Sequence, residues 1–235
     1  MFFLSLFCGI KDNIEICYAD NQEMNQITGS FNESVIYDVP TISQANLFLN
    51  GIETGVGCVP ASIEMILRWW HQKNPDYPVL SAQNLIDRNA AQNLYQAGKG
   101  MTFSAAEDEL DEAGYQMNIE LNSNKEDLIL ALKKFGPLGV QIKTNWIPTT
   151  MNHVGVLTAY NAETDSITVN DPFYGRAVSW SWDSFDGIWS LNYAYHPEKG
   201  EIFRRIFFYI VPKDLLKTLL PEFGIDNTQS NSPIF

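Results

Sequence analysis

The sequence predicts an α+β chain, with helices crowding the first half and strands the second. Three observations predict this. Apolar residues recur at helical spacing between residues 60 and 135. β-rich runs separated by turn residues fill residues 138–212. The two kinds of segment neither repeat nor alternate as βαβ units.

The elements follow in order. The first ten residues are almost wholly apolar but lack the basic stretch of an export signal. Two readings stay open. One is a clipped export signal, which places the protein outside the cell or on its surface. The other is a strand or helix packed on the core, which leaves it cytoplasmic. Residues 18–33 are polar and aperiodic and read as a linker. Residues 1–33 therefore stand apart from a body at 34–222 and a loose polar tail at 223–235.

Ser34 to Val39 reads as a short strand stopped by Pro40. A loop with Gly51, Gly55 and Gly57 leads to Pro60, which suits a first helical turn, where its missing N–H is not needed. Ile63, Ile66, Leu67 and Trp70 then form one helical face. Ser81 to Tyr95 is a second helix closed by Gly98. Ser104 with Glu107 fits a capping box opening a third, ended by Gly114. Tyr115 to Leu121 is a strand. Ser123 with Glu126 is another capping-box pattern before Leu128, Ile129, Leu132 and Phe135, with Gly136-Pro137 as the stop. Leu138 to Lys143 is a strand. His153 to Tyr160 and Ser166 to Asp171 form a hairpin through residues 161–165. Residues 181–189 read as a short helix and Arg204 to Val211 as a strand ending at Pro212.

Composition narrows the function. A chain of 235 residues buries roughly 70% of its unfolded surface and needs neither disulfide nor metal to hold a core. The net charge is −13, from 28 acidic and 15 basic residues, which argues against nucleic acid or an anionic membrane as partner. No stretch approaches the roughly 20 apolar residues of a membrane span. Nucleotide-binding glycine motifs are missing. The three cysteines, Cys8, Cys17 and Cys58, form no CxxC, against a thiolate zinc site. No metal or cofactor is expected. Cys8 and Cys17 could pair only in an oxidising compartment. Nothing indicates the oligomeric state.

Cys58 lies just before the helix that Pro60 opens. Free N–H groups and the positive end of the helix dipole face its sulfur there, which favours the thiolate. Gly55 and Gly57 keep the approach clear for a substrate backbone. Alone, such a cysteine is more readily a buried structural residue. A nucleophilic cysteine needs a base. His71 sits near the far end of the same helix, roughly 20 Å away at 1.5 Å per residue, and suits a carbonyl cap. His196 precedes Pro197 in a polar loop. His153 opens an apolar strand, where a ring needs a partner.

The hairpin supplies one. If Tyr160 lies opposite Thr164, His153 lies opposite Asp171; a shift by two leaves Asp171 diagonal to it on the same face. A shift by one brings Asn170 onto that face instead. Face composition favours Asp171, which shares a face with Ile167 and Val169. Either residue could accept from the imidazole and orient it. Gln44, in the same loop as Cys58, could lend its amide to the Cys58 N–H as an oxyanion hole, though alone it is an ordinary polar loop residue. Trp146, Trp180 and Trp182 could supply an active-site aromatic or belong to the core.

The order Gln44, Cys58 at a helix start, His153 and then Asp171 on adjacent strands resembles papain-like cysteine peptidases. The local text is closer to the bacteriocin-processing peptidases that remove double-glycine leaders, cysteine peptidase family thirty-nine, and their free-standing relatives. The matching stretches are Val39-Pro-Thr-Ile-Ser-Gln44, Gly57-Cys-Val-Pro-Ala-Ser-Ile-Glu-Met-Ile-Leu67, Gly136-Pro-Leu-Gly-Val-Gln-Ile142, His153-Val-Gly-Val-Leu-Thr-Ala-Tyr160 and Ile167-Thr-Val-Asn-Asp-Pro172, within residues 35–212. Ser181 to Trp189 resembles the family's closing helix.

The resemblance implies a papain-like fold, with a helical half carrying the nucleophile packed on an antiparallel sheet carrying His and Asp. It implies Cys58 as nucleophile, His153 as base, Asp171 as its orienter and Gln44 as oxyanion donor, acting on a peptide or protein substrate through a thioester. Val59 stands where the family has glycine, so a β-branched side chain narrows the site or alters the oxyanion backbone. No ATPase or transporter segment follows, and the expectation is a free-standing member. The rival readings are an amide acyltransferase of transglutaminase type, a peptidoglycan amidase, and an inactive peptidase-like binding module.

Overall fold

The computed structural model describes residues 7–11, 14–18, 33–96, 98–143, 152–191, 193–196 and 201–219. Strands β1 (Phe7–Lys11) and β2 (Ile14–Tyr18) form a separate hairpin whose register sets Cys8 opposite Cys17. The body opens with β3 (Val35–Ile36), a 3-10 turn at Gln44–Asn46, and the short pair β4 (Phe48–Leu49) and β5 (Ile52–Glu53). Helices α1 (Cys58–Lys73), α2 (Ala82–Ala91) and α3 (Glu107–Glu112) follow. Next come β6 (Tyr115–Glu120), α4 (Lys125–Phe135), β7 (Leu138–Ile142), β8 (His153–Asn161), β9 (Ser166–Asp171) and β10 (Arg176–Ser181). The chain continues through α5 (Trp182–Ser190), β11 (Tyr193–His196), β12 (Glu201–Arg204), β13 (Phe207–Pro212) and α6 (Lys213–Leu219).

Seven strands build one antiparallel sheet in the order β10-β9-β8-β7-β13-β6, with β3 also paired to β8. Both faces are covered. Val154, Val156, Phe208 and Ile210 pack with Ile63 and Leu67 of α1 and Leu85 of α2. Leu157, Val169 and Phe207 pack with Leu128 and Leu132 of α4 and with Phe185 and Trp189 of α5. Val156 and Leu157, like Phe207 and Phe208, fall into opposite layers, as strand alternation requires. The expected α+β class holds, and α1, which begins with Cys58, lies on the sheet beside β8, which begins with His153. Among the described residues no helix is long and apolar enough to cross a membrane.

Several boundaries differ from expectation. Helix α1 starts at Cys58, with Gly57 as its N-cap, and Pro60 falls third in the first turn rather than opening it. The Ser104 capping box does not form: Ser104–Ala106 is a 3-10 turn without a side-chain cap, because the chain is already helical at Phe103. The second capping box exists one residue later, between Asn124 and Asp127. The strand expected at 34–39 shortens to two residues. Strand β10 was not foreseen: it is a sheet edge with mostly exposed side chains, so it lacks an apolar run to announce it. Most of the expected linker, and the tail at 223–235, lie outside the described residues.

Strand β7 passes so close to β13 that a Cβ on Gly139 would run into the Phe208 ring. Gly139→Ala is therefore expected to lower stability by about 1–3 kcal/mol through overpacking. Urea denaturation should show a lower midpoint at unchanged slope; an unchanged midpoint would contradict the packing.

Candidate active site

The nucleophile side is built on the start of α1. The first N–H groups of a helix have no intrahelical acceptor. Pro60 has none to offer and Ala61 donates to the Gly57 carbonyl at 3.1 Å, so the N–H groups of Cys58 and Val59 form the open end. Gly57 brings the preceding turn close: a Cβ there would lie 2.5 Å from Leu47 Cδ1. That turn holds Gln44, which is buried. Its Nε2 donates to the Gly55 carbonyl at 2.8 Å, a bond that fixes which way the amide points. Its main-chain N–H donates to the Pro172 carbonyl at 2.9 Å, tying the turn to the end of β9.

The base side is built on β8 and β9. His153 and Asp171 are each 1% exposed. His153 Nε2 and Asp171 Oδ1 are 2.7 Å apart, and Asp171 Oδ1 also accepts the Phe173 N–H at 2.8 Å. The ladder reaches this pairing through a register shift. Near the turn Asn161 pairs with Ser166 and Ala159 with Thr168; beyond the shift Leu157 pairs with Val169 and Val156 with Asn170. Thr158 is the extra residue, a β-bulge. Had the turn-end register run on unbroken, Asn170 would share the His153 face. The bulge restores the two-residue shift and leaves Asp171 on that face, diagonal to His153. Asn170 points away and donates from Nδ2 to the Val39 carbonyl at 2.8 Å.

The two sides meet. Cys58 is half-buried, and it borders the same cleft as the His153 ring, near enough for its sulfur to raise the ring's pKa. With Nε2 committed to Asp171, Nδ1 is the nitrogen left to face it. Burial would lower the imidazole pKa, but the bond to Asp171 and the nearness of the Cys58 sulfur and the Asp171 carboxylate outweigh it and push the ring up from 6.5 to about 9. Gln44, Cys58 and His153 open onto a cleft of about 440 Å³, which Val59 also borders. Asp171 lies behind His153, off the cleft wall.

The structure thus brings all four sequence-predicted residues to one place. His71 instead bonds the Tyr77 carbonyl through Nδ1 at 2.9 Å, so it holds the loop after α1 rather than the helix's own carbonyls. His196 ends strand β11 rather than lying in a loop. Trp180 and Trp182 pack on the core cluster of α4 and α5, and Trp146 lies outside the described residues. Sequence reasoning missed Tyr95, a buried residue whose phenol is raised by burial and by the charge of Cys58. It also missed the far cleft wall, drawn from segments with no shared pattern. Among the described residues no group of His, Cys, Asp and Glu is placed to hold a metal.

Comparison with known proteins adds the following. The model of the Peptidase_C39 like family matches residues 36–195. No curated protein matches. Among solved structures the chain is similar to a double glycine motif protease from an AMS/PCAT transporter, in complex with the leader peptide. The identity is 17%, the match covers 76% of this chain and 94% of that chain, and the TM-score is 0.42.

Asp171→Asn replaces the carboxylate on His153 with a neutral amide, which holds an imidazolium less well. The ring pKa should fall from about 9 back towards 6.5, as read by NMR titration of the His153 ring. Gly155→Ala should act in the same direction, because its Cβ would lie 2.5 Å from Val169 Cγ1 and push β9 away from β8. An unmoved titration in both variants would mean that Asp171 does not hold the ring.

Proposed function

The chain belongs to the Peptidase_C39 like family, and from that membership we propose that it is a cysteine peptidase, hydrolysing a peptide or amide bond through a thioester. One observation carries the proposal: a buried His153–Asp171 pair, 2.7 Å apart, whose ring faces a cysteine at a helix start.

The Cys58 thiolate attacks the substrate carbonyl carbon, forming a C–S bond and moving the carbonyl π electrons onto oxygen. The Cys58 N–H receives that oxyanion. An amide nitrogen carries two donors, and the Gln44 N–H not given to Gly55 completes the hole. Collapse of the intermediate breaks the C–N bond as the His153 imidazolium protonates the leaving amine. Water then attacks the thioester, giving a proton to His153, and the C–S bond breaks to release the acid and the thiolate. Asp171 keeps Nε2 occupied, so that Nδ1 stays towards the sulfur. The substrate is a peptide or protein, and the steps use this chain's side chains and water.

Cys58→Ala should reduce cleavage by roughly 10⁴-fold or more. Gln44→Ala should cost about 10²–10³ in kcat by removing one oxyanion donor. The reaction needs a protonated His153, whose pKa is raised to about 9. The imidazolium therefore persists below that pH, and kcat/KM should fall as pH rises through it. In Asp171→Asn the same fall should come at lower pH. Product analysis with an added amine separates hydrolysis from acyl transfer. A Cys58 that reacts with iodoacetamide no faster than a free thiol, in protein that cleaves nothing, would overturn the assignment in favour of a binding module.

A further inference from the structure

The cleft carries a charge that the mechanism does not use. Lys99 lines it, and among the described residues no Asp or Glu does, although the chain holds 28 acidic residues against 15 basic. Several basic side chains elsewhere are matched: Arg68 pairs with Glu64, Lys125 with Asp165, Arg205 with Asp186 and Lys213 with Asp111. Lys99 is exposed and makes no ion pair among the described residues.

The backbone presents this lysine. Gln96 and Gly100 exchange main-chain hydrogen bonds of 3.0 and 2.9 Å, and the Lys99 N–H also donates to the Gln96 carbonyl at 3.1 Å. Gly98 and Gly100 hold left-handed φ angles of +75° and +79°, where a side chain would be strained. Lys99 therefore stands at the tip of a closed turn. The turn is also seated: a Cβ on Gly100 would lie 2.9 Å from the carbonyl oxygen of Val56, two residues before Cys58. Just past the turn, the Phe103 ring lies 4.9 Å from that of the buried Phe208. Fixed main chain on both sides thus holds the root of the lysine near the nucleophile.

In the reactive pair, the His153 imidazolium and the Cys58 thiolate offset each other. What remains in the cleft is the Lys99 ammonium and the positive end of α1. An exposed ammonium sheds little water on meeting a carboxylate, so even a modest Coulomb gain is kept. The leaving amine departs over His153 on β8, whereas the Lys99 turn leans on Val56, on the wall that leads into α1. The acyl part of the substrate is the part that runs past Lys99.

We propose that Lys99 is a specificity-determining residue, and that it seats the side-chain carboxylate of an aspartate or glutamate within three residues of the scissile bond, on its acyl side. The proposal rests on the peptidase reading and adds to it the charge of the substrate.

The test uses the whole protein and peptidyl fluoromethyl ketones carrying Glu or Gln at the residue that bears the ketone or at either of the two before it. Glu and Gln share a shape, so the ratio of their Cys58 labelling rates, followed by mass spectrometry, reads charge alone. In Lys99→Gln the Glu-to-Gln ratio should fall about two- to fivefold at one of the three positions. Lys99→Arg should keep the ratio, and about 1 M salt should erase the difference between Lys99→Gln and the unaltered protein. Iodoacetamide should label all three proteins equally fast, since Lys99 takes no part in the reaction. A ratio unmoved by Lys99→Gln at every position, or lowered equally at all three, would overturn the seat and leave the nucleophile standing. Should Cys58 prove unreactive to every reagent, the peptidase reading fails on its own account. The seat is then read by titrating capped Glu and Gln peptide amides against the Gly98 and Gly100 amide NMR signals: shifts with the Glu peptide alone support it, and equal shifts or none remove it.

Discussion

The contact between His153 Nε2 and Asp171 Oδ1 is the constraint on which the site depends. It is buried on both sides, so water neither competes for the carboxylate nor screens its charge. It settles which ring nitrogen turns to Cys58 and keeps a proton on the ring well above its ordinary range. Without it the imidazole would be a desolvated group with one nitrogen unsatisfied. Burial would then drive it to the neutral form, and the thiol would lose its cation.

Supporting that contact takes the whole sheet. Strand β8 is flanked by β7 and β9 and covered from both layers, so the backbone around His153 has little freedom to shift. The bulge at Thr158 is held on two sides: its carbonyl accepts the Tyr37 N–H at 2.9 Å and its hydroxyl donates to the Thr168 carbonyl at 3.3 Å. The turn end and the site end of the hairpin can therefore keep different registers. Neither the turn nor the pair of faces would be satisfied by a single uninterrupted ladder.

Much of this was legible in the chain, because the informative signals are local. Face composition favours Asp171 over Asn170 as the neighbour of His153, with both left open by alternation alone, and the apolar run after Pro60 announces the helix beside Cys58. What stayed hidden was collective. Pro60 is compatible with any position in a first turn, so the sequence could not say that α1 begins two residues earlier, at the nucleophile itself. The bulge carries no residue signature; it arises from the mismatch between turn length and face parity. Ile119, Leu121 and Ile206 read as ordinary strand residues, since nothing along the chain says that β6 and the entry to β13 converge on the N-terminus of α1. Tyr95 was equally silent, because it lies in an irregular stretch after α2.

The main-chain bond from Gln44 to Pro172 joins two parts of the molecule that are more than a hundred residues apart in sequence. Asp171 is the residue before that proline, and Gly175 packs against Ser43 just beyond it, where an added Cβ would sit 3.1 Å from the Ser43 Cβ. Gln44 and the Asp171 carboxylate that bonds His153 thus ride on a common joint. That joint ties the position of one to the position of the other.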